Sequence, residues 1–81
     1  MGKKERLTET LLNRPAKFKW DDLVSVMKHH GFVMKNANGG SGRRFYNAET
    51  GQIAKWHEPH PGNEVKKYVV DEAIALIKEQ Q

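Results

Sequence analysis

The pattern of apolar and polar positions changes its period twice along this chain. From Lys3 to Leu12 the apolar residues Leu7, Leu11 and Leu12 fall at helical spacing, which predicts a short helix. Pro15 ends it, because the residue before a proline resists α geometry. A helix of this length is marginal unless it docks on a domain. The stretch "FKWDDLVSVMKHHGF" is the clearest helix. Leu23, Val26, Met27 and His30 fall at i, i+3, i+4 and i+7 and make one face. Asp21 and Asp22 in its first turn, and Lys28, His29 and His30 in its last, suit the helix dipole. Gly31 is the expected residue just past its end.

The period then drops to two. "FVMKNA", "RRFYN" and "QIAKWHE" read as strands, separated by the loop 36–42 and a turn over Asn47–Gly51. In the third strand Ile53, Lys55 and His57 share one face, and Ala54, Trp56 and Glu58 share the other. Phe45 and Tyr46 have opposite parity, so one of the two is exposed. After the proline-containing loop "PHPGNE" the helical period returns from Tyr68 to Gln80. Val70, Ala73, Ile74 and Ile77 form its apolar face, with Asp71 and Glu72 near its start. The predicted order is a short leading helix followed by α-β-β-β-α. The fold class is α+β, with a three-stranded antiparallel sheet, both main helices on one face and the other face open. Residues 1–16 form an N-terminal helical extension and 17–81 the domain.

Composition narrows the function. At 81 residues the chain is one small domain with a thin core, so chemistry belongs on a surface or in a shallow groove. Lys and Arg total 14 against 10 Asp and Glu, a net charge of +4 that favours a polyanionic partner such as RNA. Cysteine is absent, which removes disulfides and thiolate metal sites. No apolar run is long enough for a membrane span, and no signal-peptide stretch follows the charged start. A cytoplasmic protein without a cofactor is expected.

The stretch "GGSGRRF" at 39–45 places glycines, which let a backbone approach a ligand, just before two arginines, which grip phosphate. Gly40, Ser41, Gly42, Arg43, Arg44 and Lys55, with Lys66 in the flanking loop, are the candidate RNA-binding residues. Tyr46 is the candidate for base stacking. Trp20 and Trp56 suit the core. His57 and His60, in "WHEPHP", are candidates for proton transfer, since imidazole titrates at about 6.5 and can act as general acid or base near neutral pH. The RNA 2′-OH would serve as nucleophile, so the reaction would need no metal. The plainer reading makes these histidines loop residues beside prolines. A metal site at His57, Glu58 and His60 lacks a helical frame and any cysteine.

The co-linear set "WDDLVSVMKHHGF", a glycine–serine turn into a strand, "HEPHPGNEVKKY" and a closing helix resembles the HicA family over residues 17–80. Its most specific piece is His60-Pro61-x-x-Glu64-Val65 with Tyr68 before the last helix, similar to the family's His-Pro-x-x-Glu-Leu segment. The resemblance implies a fold like a double-stranded-RNA-binding domain. It also implies the activity of an mRNA interferase toxin and a HicB-type antitoxin as partner. It further implies a catalytic histidine in a Gly-Ser-His turn, but Gly42 follows Gly40-Ser41 here. Two functions therefore stand side by side. One is an endoribonuclease toxin; the other is a non-catalytic module of the same fold that binds RNA or only the antitoxin. The antitoxin is expected to cover the face carrying Arg43, Arg44 and His57.

Overall fold

The computed structural model describes residues 2–36, 42–59 and 62–80. Its elements are α1 (Lys3–Leu12), α2 (Trp20–His29), β1 (Val33–Asn36), β2 (Gly42–Tyr46), β3 (Ile53–His57) and α3 (Lys67–Glu79). The strands form one antiparallel sheet in the order β1-β2-β3. The fold is α+β in the expected α-β-β-β-α order behind a leading helix.

The helical spacing of apolar residues buries one face of each main helix against the sheet. Trp20, Leu23, Val26 and Met27 of α2 join Val69, Val70, Ala73, Ile74 and Ile77 of α3. Phe45, Ala54 and Trp56 meet them from the sheet. Phe45 lies between the two tryptophans, with ring centroids 5.8 Å from Trp20 and 5.2 Å from Trp56. Both spacings fall in the range favoured by tilted and edge-on aromatic pairs. The Trp56 indole Nε1–H donates to Glu72 Oε1 at 2.9 Å, so the buried ring keeps its polar contact and ties β3 to α3.

A second tie joins the starts of the main helices. Lys19 and Glu64 form an antiparallel bridge, Trp20 N donates to Asn63 O at 2.6 Å, and Val65 N donates to Phe18 O at 2.8 Å. The leading helix docks as well. Leu11 is fully buried in the same core, flanked by Leu7 and Leu12, and Arg14 makes a two-pronged ion pair with Asp71 at 2.8 and 3.1 Å. That partnership changes the expected role of the acidic residues of α3. The helix starts at Lys67 and has no acidic residue in its first turn. Asp71 and Glu72 serve instead as partners for Arg14 and Trp56.

The end of α2 depends on two residues. Gly31 has φ +92, a left-handed conformation that glycine adopts without steric penalty. Asn47, almost wholly buried, donates from Nδ2 to His30 O at 2.9 Å. Its Oδ1 accepts from Glu49 N and Thr50 N at 2.9 and 3.2 Å, which shapes the β2–β3 turn. A Cβ on Gly31 would stand 3.0 Å from Asn47 Nδ2. Strain and crowding therefore act together, and Gly31→Ala should lower the unfolding free energy by about 1–2 kcal/mol. Urea denaturation of the two proteins measures this; equal midpoints would contradict it.

His30 lies beside that turn, with Thr8 Oγ1 of α1 at 3.3 Å from its Nε2. Burial lowers its pKa below the usual 6.5, the neighbouring His29 lowers it further, and a hydrogen bond with the Gln80 side chain works the other way. The unfolded chain therefore takes up the proton first as pH falls. Stability should be level above about pH 6.5 and decline below it until folded His30 is itself protonated. Denaturation across this range should show a shallower decline for His30→Gln than for the parent; parallel curves would exclude His30 as the cause.

Candidate nucleic-acid interface

Pairing across the sheet sorts the candidate residues into rows. Val33 lies opposite Tyr46, which lies opposite Ile53; Lys35 lies opposite Arg44, which lies opposite Lys55. Gly42 lies opposite His57. Alternation along each strand puts these three rows on the face that the helices leave open. Met34, Phe45 and Ala54 form a row on the covered face, and so do Asn36, Arg43 and Trp56.

The central row of the open face is entirely cationic. Lys35, Arg44 and Lys55 are all exposed and stand side by side across three strands. Like charges directly opposite one another destabilise a sheet, on the order of 0.5 kcal/mol per pair. The mutual repulsion within the row opposes folding, and a bound anion would relieve it. Lys35, Asn36, Arg44 and Tyr46 line a shallow groove of about 310 Å³ at the β1 side of the row.

Arg43 does not share this face. It points to the helix side, its side chain is only 20% exposed, and its guanidinium NH2 lies 3.0 Å from Glu58 Oε1. Its NH1 donates to Gly42 O at 2.9 Å. The ion pair clamps the segment after β3 against β2, directly behind Gly42 and His57. The expectation of one face carrying Arg43, Arg44 and His57 therefore gives way to a division. Arg44 and His57 face outward, and Arg43 braces the strands from behind. Successive residues of a strand point to opposite sides, so two adjacent arginines cannot both line one surface.

His57 is exposed at the end of β3, on the face of Lys55. Its cross-strand neighbour is Gly42, which is buried. Lys66 stands apart from the rows as the exposed N-cap residue of α3. Gly40, Ser41 and His60 lie outside the described residues. Sequence reasoning did not single out Lys35. Its signal was strand parity, which needs the β1–β2 register to place it beside Arg44. Among the described residues no group of three His, Cys, Asp or Glu side chains is placed to hold a metal ion. No helix among them is long and apolar enough to cross a membrane.

Fold and surface together define a small α+β protein with a basic, open sheet face. Residues 20–79 match the family model described as the HicA toxin of bacterial toxin–antitoxin, and the chain belongs to that family. It is the toxin partner of a toxin–antitoxin pair, with an antitoxin as its counterpart. Neither the comparison with curated proteins nor that with solved structures gives a match.

The two adjacent arginines should behave oppositely on substitution. Arg43→Ala should destabilise the protein by about 1 kcal/mol, because it strands a half-buried carboxylate and frees the end of β3. Arg44→Ala should leave stability unchanged or slightly raised, because it breaks the like-charge row. Urea midpoints rank the two; a greater loss for Arg44→Ala would overturn the assignment of faces.

Proposed function

We propose that this chain is an mRNA interferase, a metal-independent endoribonuclease of the bacterial cytoplasm that binds mRNA on its open sheet face. The observation that carries this reading is the row Lys35–Arg44–Lys55, three cations side by side that make no ion pair among the described residues. RNA phosphates supply the missing negative charge and release counterions as they bind. Family membership adds the context of a toxin paired with an antitoxin.

His57 is the residue for proton transfer, one row from the cations on the same face. In the reaction the RNA 2′-oxygen attacks the adjacent phosphorus, the bond to the 5′-oxygen breaks, and the products are a 2′,3′-cyclic phosphate and a free 5′-hydroxyl. An imidazole takes the proton from the 2′-hydroxyl or gives one to the leaving 5′-oxygen. Arg44 and Lys55 stabilise the charge that develops on phosphorus. His60, three residues after His57 in the sequence, is the second candidate for the same role. Gly40, Ser41 and Gly42 would form the rim where the backbone approaches RNA. Lys66 would add a phosphate contact at the start of α3. A HicB-like antitoxin silences the toxin by covering the face of Arg44, Lys55 and His57.

One observation favours a second reading. Gly42 occupies the position where the family's turn carries its catalytic histidine, and it sits directly opposite His57. A side chain there would have its Cβ about 4.5–5.5 Å from that of His57. Without it the chain would be an RNA-binding or antitoxin-binding module that does not cut. Incubation with RNA decides between the two. As a nuclease the parent yields 5′-hydroxyl ends, and His57→Ala loses roughly 10²–10⁴-fold in rate while still binding RNA. If His57→Ala and His60→Ala both cut at the parent rate, the histidine mechanism is wrong. If the parent leaves RNA intact and Gly42→His cuts it, the chain is the binding module.

A further inference from the structure

The open face carries a second row beside the cations, and its chemistry is different. Val33, Tyr46 and Ile53 stand in register across all three strands and are 53%, 41% and 47% exposed. Cross-strand contact among them stabilises the sheet, yet about half of each side chain still faces solvent. The row lies one step along the strands from Lys35, Arg44 and Lys55. Two residues of strand separate the rows by about 6.6–6.8 Å. One surface thus presents an apolar line with an aromatic ring at its centre and, parallel to it, a line of positive charge.

We propose that these two rows together hold an unpaired RNA segment, laid across the strands, with phosphates over Lys35–Arg44–Lys55 and bases over Val33–Tyr46–Ile53. This rests on the reading of the face as an RNA surface and names the form of RNA that it takes. A nucleotide is itself divided into a charged edge and a flat, weakly polar one, on the scale of the distance between the rows. Only an unpaired strand can present both edges to one sheet. In a duplex the bases are stacked and paired inside, so a duplex could engage the cations but would leave the apolar row covered by sugar and phosphate. Base stacking on an aromatic ring is tolerant of sequence, because every base has a π face. Tyr46 therefore supplies affinity for single strands in general, and Val33 and Ile53 extend the platform on either side of it. A protein partner could also cover an apolar row. The adjoining line of three like charges selects a ligand with regularly spaced anions, and an RNA backbone has them.

The test is binding of a short 2′-O-methyl oligoribonucleotide, which lacks the nucleophilic hydroxyl, alone and annealed to its complement at the same salt. The single strand should bind at least about ten-fold more tightly than the duplex. Tyr46→Ala should weaken single-strand binding roughly ten- to a hundred-fold and leave duplex binding unchanged. Tyr46→Phe, which keeps the ring, should retain the parent affinity. The paired substitution Val33→Ser with Ile53→Ser should give a smaller loss, again for the single strand alone. Equal affinity for both forms, or a Tyr46→Ala protein that binds single strands as the parent does, would overturn the inference. If Lys35→Ala with Arg44→Ala abolishes binding in that case, the RNA surface stands and only its division into two rows is wrong. If neither variant weakens binding, the RNA reading of this face falls too. Loss of antitoxin binding in Tyr46→Ala with RNA binding intact would assign the row to the antitoxin.

Discussion

Phe45 in the centre of the sheet, gripped between Trp20 of α2 and Trp56 of β3, is the contact on which the surface depends. It is completely buried, and the side chains at either end of the trio are nearly so. A strand has a strict period of two, so burying Phe45 and Trp56 decides where every other residue of β2 and β3 points. A slip of one residue would turn Arg44 and Lys55 inward and expose two large aromatic rings. Truncation of a ring at such a site costs about 3–5 kcal/mol, against a total stability of only about 5–15 kcal/mol for proteins in general. The cationic row is thus held outward by hydrophobic burial on the other side of the sheet, despite its own repulsion.

The same parity explains the division of labour between the adjacent arginines. Arg44 follows the outward face, beside Lys35 and Lys55. Arg43 follows the inward face, where it meets Glu58 and the Gly42 carbonyl and fixes the end of β3. His57 lies between these two influences, one residue before the clamped Glu58 and in register with Gly42. Its placement therefore draws on both faces of the sheet. The face proposed to bind RNA is also the simplest target for the antitoxin, since one blocking surface would cover the outward cations and His57 together.

Much of this architecture was legible in the sequence because its signals are periodic. The face Leu23–Val26–Met27 and the face Val70–Ala73–Ile74–Ile77 are buried as their spacing requires. Trp56 lies with Ala54 in the core, and Tyr46 is the exposed member of its pair with Phe45. What escaped the sequence depends on pairing between distant segments. Lys35 joins the row only through the β1–β2 register. Asp71 and Glu72 look like residues for a helix start until Arg14 and Trp56 come to meet them, 57 and 16 residues away in sequence. The separation of Arg43 from Arg44 follows from parity alone, but the doublet suggests a single basic patch to the eye. His30 completes a helical apolar pattern, and its burial shows instead as a lowered pKa.

The central claim is that the outward cations, and not Arg43, hold the RNA backbone. The most direct measurement is the dependence of RNA affinity on salt concentration for the parent, for Arg43→Ala, and for the triple variant Lys35→Ala, Arg44→Ala, Lys55→Ala. Each phosphate contact to a single strand contributes about 0.7 to the slope of log affinity against log salt. The account predicts that the triple variant binds weakly with a slope shallower by about 2, and that folded Arg43→Ala keeps the parent slope. A triple variant with the parent slope, or an Arg43→Ala protein that loses as much slope as it does, would contradict the account.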